Sequence, residues 1–267
     1  MLLGIDHVVL ACRDPDAAAA MLETRLGLAA SEGGRHEGLG TENRLVWLGD
    51  AYLELVGVFD SDQAQSSWLG RPVLALLDAG DGGLVSWAVA IDDLDETLRW
   101  APPDAGLIGP LDGERRRPDG RTVRWRLARL EDVSPTAPFV IEHDLSGAEW
   151  TDAERAVRAD RQHPLGGRAR LAGVEVVTAS PAVAAGRLRS VLAASVEPAG
   201  RAAVRVRLAG HEVRYVASRP GSGAVVDVVA DVPIRTRVTR IGDCEIRLRG
   251  RPVGVGAPPQ PDPSADV

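Results

Sequence analysis

The sequence predicts an α+β fold in which two βαβββ units pair and curve their strands into a half-open barrel, followed by a third βαβββ-like unit. Three observations predict it. A strand–turn–helix opening occurs three times, as "IDHVVLACRDPDAAAAML", "LVSWAVAIDDLDETLRW" and "RLAGVEVVTASPAVAAGRLRSVL". Alternating apolar and polar runs follow each opening, broken at hairpin signals. The composition, 45% hydrophobic and 26% charged over 267 residues, is that of a globular chain able to bury a core. One strand–helix–three-strand unit leaves an apolar sheet face uncovered. Two units side by side place their helices outside and leave a concave face inside, a natural small-molecule cleft.

In the first unit, Ile5 to Ala11 reads as an apolar strand, and Asp14-Pro15 starts a helix over "DAAAAMLETRLGL" that Gly27 ends. "SEGGRHEGLGT" is glycine-rich and reads as a loop region with room for an edge strand. "NRLVWLGDAYLELVGV" reads as two strands joined at Gly49-Asp50. In the second unit Asp92-Asp93-Leu94-Asp95 stands where Arg13-Asp14-Pro15-Asp16 stood, and "GRTVRWRLARL" and "PFVIEHD" supply later strands. In the third, Ser180-Pro181-Ala182 takes the turn, and "AAVRVRLAG", "HEVRYVAS" and "AVVDVVADV" alternate before a last hairpin at Gly242-Asp243. The expected organisation is therefore a paired domain over 1–147, a linker over 148–170, the third unit over 171–250 and a disordered Pro-rich tail over 251–267.

Composition narrows the function. A formal charge of −7 argues against nucleic acid or an anionic membrane as partner. No apolar run approaches the ~18 residues of a membrane span, and the N-terminus lacks a signal peptide's pattern, so a cytoplasmic location is expected. Cys12 and Cys244 match no zinc or redox spacing and read as free thiols. The chain has no lysine, which excludes lysine Schiff-base chemistry. The glycine-rich loop lacks a Gly-Lys-Ser/Thr ending, so no nucleotide cofactor is expected, and no Gly-x-Ser-x-Gly elbow is present.

Alternation places the candidate chemistry. Ile5, His7 and Val9 share one strand face and Val8 and Leu10 the other; Tyr52, Glu54 and Val56 oppose Leu53 and Leu55 in the same way. The helix takes the apolar faces, which leaves His7 and Glu54 pointing to the concave side. An imidazole and a carboxylate meeting there suit a divalent-metal site or an acid–base pair. The plainer reading is a core histidine bonded to Glu54.

The stretches "IDHVVLACRDPDAAAAML", "GGRHEGLGTENRLVWLGDAYLELVGV", "RRRPDGRTVRWRL" and "PFVIEHD" resemble glyoxalase-like proteins of the vicinal oxygen chelate superfamily. The resemblance covers about the first 180 residues well. It implies the paired βαβββ fold and a small-molecule substrate or ligand with adjacent oxygens. It further implies a divalent metal held by a histidine on the first strand and a glutamate on the last strand of each unit. His7 and Glu54 match those positions in the first unit. In the second, Ser86 stands where the histidine would be and Glu142 takes the glutamate's place. The implied ligand set is His7, Glu54 and Glu142, with Glu54 or Glu142 moving a proton in a lyase, isomerase or dioxygenase reaction, and His36 or His143 candidates to complete the shell. The "RH…GT.N" resemblance places His36 and Asn43 at the pocket mouth. Trp47 and Trp125 are candidate pocket walls or core, and Arg124 and Arg126 flank Trp125 on a strand that could bind a carboxylate. The alternative function is a metal-free binding protein for sequestration or resistance that uses the same cleft. The third unit, with Gly173 in the histidine position and Asp227 or Arg247 at the glutamate's, reads as structural or as a homodimer surface.

Overall fold

The computed structural model describes residues 2–131, 133–192, 194–218 and 223–251; the expected tail beyond Arg251 lies outside them. The first unit runs β1 (Leu2–Ala11), α1 (Pro15–Leu26), β2 (Ser31–His36), β3 (Thr41–Leu48) and β4 (Ala51–Val58). The second runs β5 (Gly83–Ile91), α4 (Leu94–Trp100), β6 (Leu107–Arg116), β7 (Thr122–Leu130) and β8 (Phe139–His143). Between them lies a helical hairpin, α2 (Ser61–Ser66) and α3 (Gly70–Ala79). The openings repeat in detail. Asp14 caps α1 by accepting from the Asp16 and Ala17 amides, and Asp93 caps α4 by accepting from Glu96. Gly27 ends α1 in the left-handed region at φ 75°, where a side chain would be strained.

The eight strands close into a barrel in the order β1-β4-β3-β2-β6-β7-β8-β5. β1 runs parallel to β4, and β5 parallel to β8, as two copies of one unit require. The expected half-open edge is shut, but narrowly: β2 and β6 register through one residue pair, Arg35 opposite Arg116. That contact needs Gly34, because a Cβ there would stand 2.1 Å from the Arg116 carbonyl oxygen. The "SEGGRHEGLGT" stretch is thus strand β2 over Ser31–His36 followed by a turn over residues 37–40; Gly33 and Gly34 serve close backbone approach, while Gly38 and Gly40 lie in the turn.

Beyond α5 (Asp152–Ala159) the chain forms β9 (Ala169–Thr178), α6 (Pro181–Leu192), β10 (Ser195–Pro198), β11 (Ala203–Leu208), β12 (His211–Ala217), β13 (Val225–Ala230), β14 (Arg237–Ile241) and β15 (Cys244–Arg249). Their order, β10-β11-β12-β9-β13-β15-β14, is the barrel's order with the counterpart of β6 missing. The sheet therefore stays open. Its parallel β9–β12 pair sets Gly173 opposite Glu212 as His7 stands opposite Tyr52, so Arg214 falls at the place of Glu54. Arg214 is tied to Glu175 at 2.6 Å, and Asp227 to Arg249 at 3.2 Å. The face equivalent to the barrel interior is an ion-paired surface.

One apolar core joins the two sheets through α1 and α6. Leu22 on α1, Leu53 and Leu55 on β4, Leu188 on α6 and Val174 and Tyr215 on the open sheet belong to it. Leu22 and Leu26 are fully buried, worth about 2–3 kcal/mol each. Among the described residues, no helix is long and apolar enough to cross a membrane.

Candidate functional site

The site begins with an irregularity in β1. Ile5 stands opposite Val89 and His7 opposite Ala88, so Asp6 is the extra residue of a β-bulge. The bulge breaks strict alternation. Ile5 joins the apolar cluster of Val8 and Leu10 instead of sharing the face of His7, and Asp6 and His7 both engage the interior. Asp6 is 2% exposed, with Oδ1 2.5 Å from His7 Nδ1 and Oδ2 2.9 Å from His143 Nε2. Burial pushes the Asp6 carboxyl up, but the charge and hydrogen bonds of His143 and His7 outweigh it and hold the group well below the ordinary carboxylate range. An ionised carboxylate only accepts, so His7 donates from Nδ1 and turns Nε2 toward the cavity.

Nε2 of His7 lies 3.6 Å from Oε2 of Glu54. Oε1 of Glu54 accepts from the Asn43 amide at 2.5 Å and lies 3.6 Å from His36 Nε2. Asn43 is fixed in turn, since its oxygen accepts from the Gly34 amide at 2.9 Å. His36 pairs through Nδ1 with the Thr41 hydroxyl at 3.0 Å. Burial pulls the His36 pKa down to about 4, with Arg115 and His7 acting the same way against the opposing Glu54, so its ring is neutral near pH 7. Tyr52 stacks on His7 at 4.7 Å, and burial raises its phenol well above the ordinary range.

His7, His36, Asn43, Tyr52 and Glu54 line a pocket inside the barrel. Phe139, Trp125 and Trp68 supply aromatic walls. The helical hairpin closes one end, where Leu69, Val73 and Leu77 pack with Val9 and Ala11. The other end is closed by the segment expected to be a linker. Trp150 stacks on His143 at 3.5 Å, and Arg158 lies over the rings of Trp47 and Trp150. Glu149 takes Arg115 of β6 and Arg117 as ion partners. His163 donates from Nε2 to the Trp47 carbonyl at 2.9 Å and accepts from the Ala29 amide through Nδ1, pinning the segment to the barrel.

The structure brings His7, His36, Asn43, Glu54 and Trp125 together around the cavity. It leaves three expected residues outside. Glu142 faces the outer surface of β8 and meets Arg126 at 3.3 Å, while its neighbour His143 points inward. Arg124 is exposed and pairs with Glu114 at 3.6 Å. Trp47 packs in the core beside Tyr52 and Trp150. Asp6, Arg115, Glu149, Trp150 and Trp68 are functional candidates that alternation did not reach. The bulge hides Asp6, and the others sit on segments whose packing against the barrel no periodicity encodes.

The implied metal can be tested on the donor set. Ser86, in the second histidine position, donates its hydroxyl to the Ala137 carbonyl at 3.2 Å, and Glu142 is turned away. Two of the four positions are therefore unavailable as ligands. Among the described residues, no group of three or more His, Cys, Asp or Glu side chains is placed to hold a metal ion. The residues do not fit the chelate that the resemblance implied.

A closed barrel of paired βαβββ units around a buried His–Glu pair is the architecture of the glyoxalase class. A family model described as a glyoxalase-like domain matches residues 5–192, and the chain belongs to that family. No curated protein matches the chain. Among solved structures it is similar to a hypothetical protein from Staphylococcus aureus, with TM-score 0.75 and 13% identity over 94% of this chain and 100% of that one. That likeness extends the shared fold across both sheets. A methylmalonyl-CoA epimerase from Streptomyces coelicolor, in complex with 2-nitronate-propionyl-CoA, matches with TM-score 0.40 and 21% identity over 54% of this chain and 96% of that one.

Proposed function

We propose that this chain is an enzyme that moves a proton on a compact substrate with adjacent oxygens, enclosed in the barrel, with His7 as the base. The observation that carries the reading is the Asp6–His7–Glu54 array. Asp6 accepts from His7 Nδ1, which leaves Nε2 directed toward Glu54 3.6 Å away. A proton taken from a carbon beside a carbonyl would reside on Nε2, and the imidazolium so formed would lie between two carboxylates. Its electron pair would pass to the carbonyl oxygen. His36, neutral near pH 7, and the Arg115 guanidinium are among the donors lining the cavity that could meet that oxygen. Glu54 is placed to exchange a proton with the substrate or with His7. Acid–base groups so placed accelerate reactions by about 10²–10⁴-fold. No step is routed through a metal, because the donor set does not fit one.

The test is deuterium incorporation. Small α-hydroxyketones and α-hydroxyaldehydes are incubated with the protein in D2O and followed by NMR. The expected result is exchange at the carbon beside the carbonyl in the native protein, and its loss in His7→Ala. A second reading, a binding protein that sequesters its ligand, is favoured by the aromatic walls around Phe139, Trp125 and Trp68. Saturable binding without exchange in the native protein selects that reading.

A further inference from the structure

Glu149 lines two spaces at once. It borders the barrel cavity, and it borders an outer cleft walled by Arg117, Arg121, Arg158 and Arg161 together with Glu32 and Glu154. Its carboxylate is buried and is the ion partner of Arg115 among the described residues. Its backbone is in the left-handed region at φ 73°, one of two such non-glycine residues among those described. The other, Ala209, precedes Gly210 at the turn between β11 and β12. Glu149 stands at no hairpin. Arg158 donates to its carbonyl, and the next residue, Trp150, is stacked on His143. A costly conformation of a bulky acidic residue, locked between a cavity and an outer cleft, is the mark of a built-in constraint.

We infer that Glu149 is a gate that occupies the carboxylate site of the cavity, and that the ligand is a small monocarboxylate that displaces it from Arg115. On entry, the ligand carboxylate replaces the Glu149 carboxylate on the Arg115 guanidinium, a fork suited to such pairing. Glu149 turns outward toward Arg117, which already holds its other oxygen. The remainder of the ligand then faces His7 and Glu54. This rests on the reading of the cavity as the ligand site, and it adds the charge of the ligand and the way in.

The test titrates pyruvate and its neutral counterpart hydroxyacetone into the native protein, Glu149→Gln and Glu149→Gly, following tryptophan fluorescence. Glycine accepts the left-handed backbone, so one of the two variants keeps the fold if the other strains it; thermal melts check both. Removing a competing carboxylate that fills the site about nine-tenths of the time should tighten pyruvate binding roughly tenfold in both variants. Hydroxyacetone binding should change less than about twofold, since it does not compete for Arg115. In the native protein, pyruvate and not hydroxyacetone should speed amide exchange across residues 145–151. Pyruvate binding no tighter in either variant, or an equal gain for hydroxyacetone, overturns the gate. If hydroxyacetone binds and pyruvate binds to none of the proteins, the carboxylate assignment falls while the cavity reading stands. If neither probe binds to any of them, the gate falls too, and the deuterium-exchange panel judges the cavity reading separately.

Discussion

Asp6 and His7 are neighbours on one strand, yet their side chains meet inside the barrel, Oδ1 to Nδ1 at 2.5 Å. In a regular strand they would point to opposite faces. The bulge opposite Val89 and Ala88 turns both inward, and the second Asp6 oxygen reaches His143 on the last strand of the other unit. One carboxylate therefore ties the two halves of the barrel together at the proposed base.

Asp6→Asn tests that tie. The amide can donate to His7 Nδ1 and so turn the ring to its other tautomer, protonated at Nε2. Proton exchange should fall by about 10²-fold or more. Stability should drop by about 1–3 kcal/mol from the loss of charge-assisted bonds. NMR exchange rates and urea denaturation read the two effects; an unchanged rate would make Asp6 purely structural.

Glu54→Gln keeps an oxygen for the Asn43 amide to donate to, so the fold should be retained, with a stability change within about 1 kcal/mol. Exchange should fall because the carboxylate is gone. Asn43→Ala is the contrasting variant. It strands both the Gly34 amide and Glu54, and should cost about 2–3 kcal/mol by denaturation.

His36 should make the protein acid-sensitive. Its folded pKa, about 4, lies below the unfolded value of 6.5, so the unfolded chain takes up the proton first as pH falls. Stability is therefore fully present above about pH 6.5 and is lost on descending toward pH 4, by up to about 3 kcal/mol. His163 and His211 are also held low by burial and add to the same trend. Subtracting the profile of His36→Asn isolates the His36 share. Parallel native and variant profiles between pH 6.5 and pH 4 would remove it.

Gly34→Ala probes the barrel seam. Its Cβ would collide with the Arg116 carbonyl oxygen at 2.1 Å, and backbone cannot yield as a side-chain tip can. The expected cost is about 1–3 kcal/mol, with faster amide exchange in β2 and β6 and little change in the open sheet. Hydrogen exchange measured by mass spectrometry distinguishes a local seam opening from global loss.

Chelator treatment checks the donor-set argument. With Ser86 bound to the Ala137 carbonyl and Glu142 turned to Arg126, EDTA dialysis should leave both melting temperature and exchange rate unchanged. Metal analysis showing a tightly held stoichiometric ion, and activity lost with it, would return the metal-assisted reading.

Much of the fold is legible in the chain. The caps Asp14 and Asp93 and the three repeated openings mark the units because helix starts are local chemistry. Alternation on β4 places Glu54 inward and Leu53 and Leu55 outward, because that strand is regular. The same rule fails at Ile5 and Asp6, where one extra residue shifts the phase, and it does not pick the inward member of Glu142 and His143. No local pattern marks the helical hairpin over Ser61–Ala79 or the cavity-closing role of 148–163.

By itself the sequence determined the units, their helix starts and the inward pairing of His7 with Glu54, since capping and strand period depend on neighbours in the chain. Only the tertiary structure decided that Asp6 joins His7, that Arg115 and Glu149 wall the cavity, and that the last sheet stays open. Those outcomes turn on a bulge, on a seam of one residue pair and on a missing strand. Each is a relation between segments far apart in the chain, which no local pattern can carry.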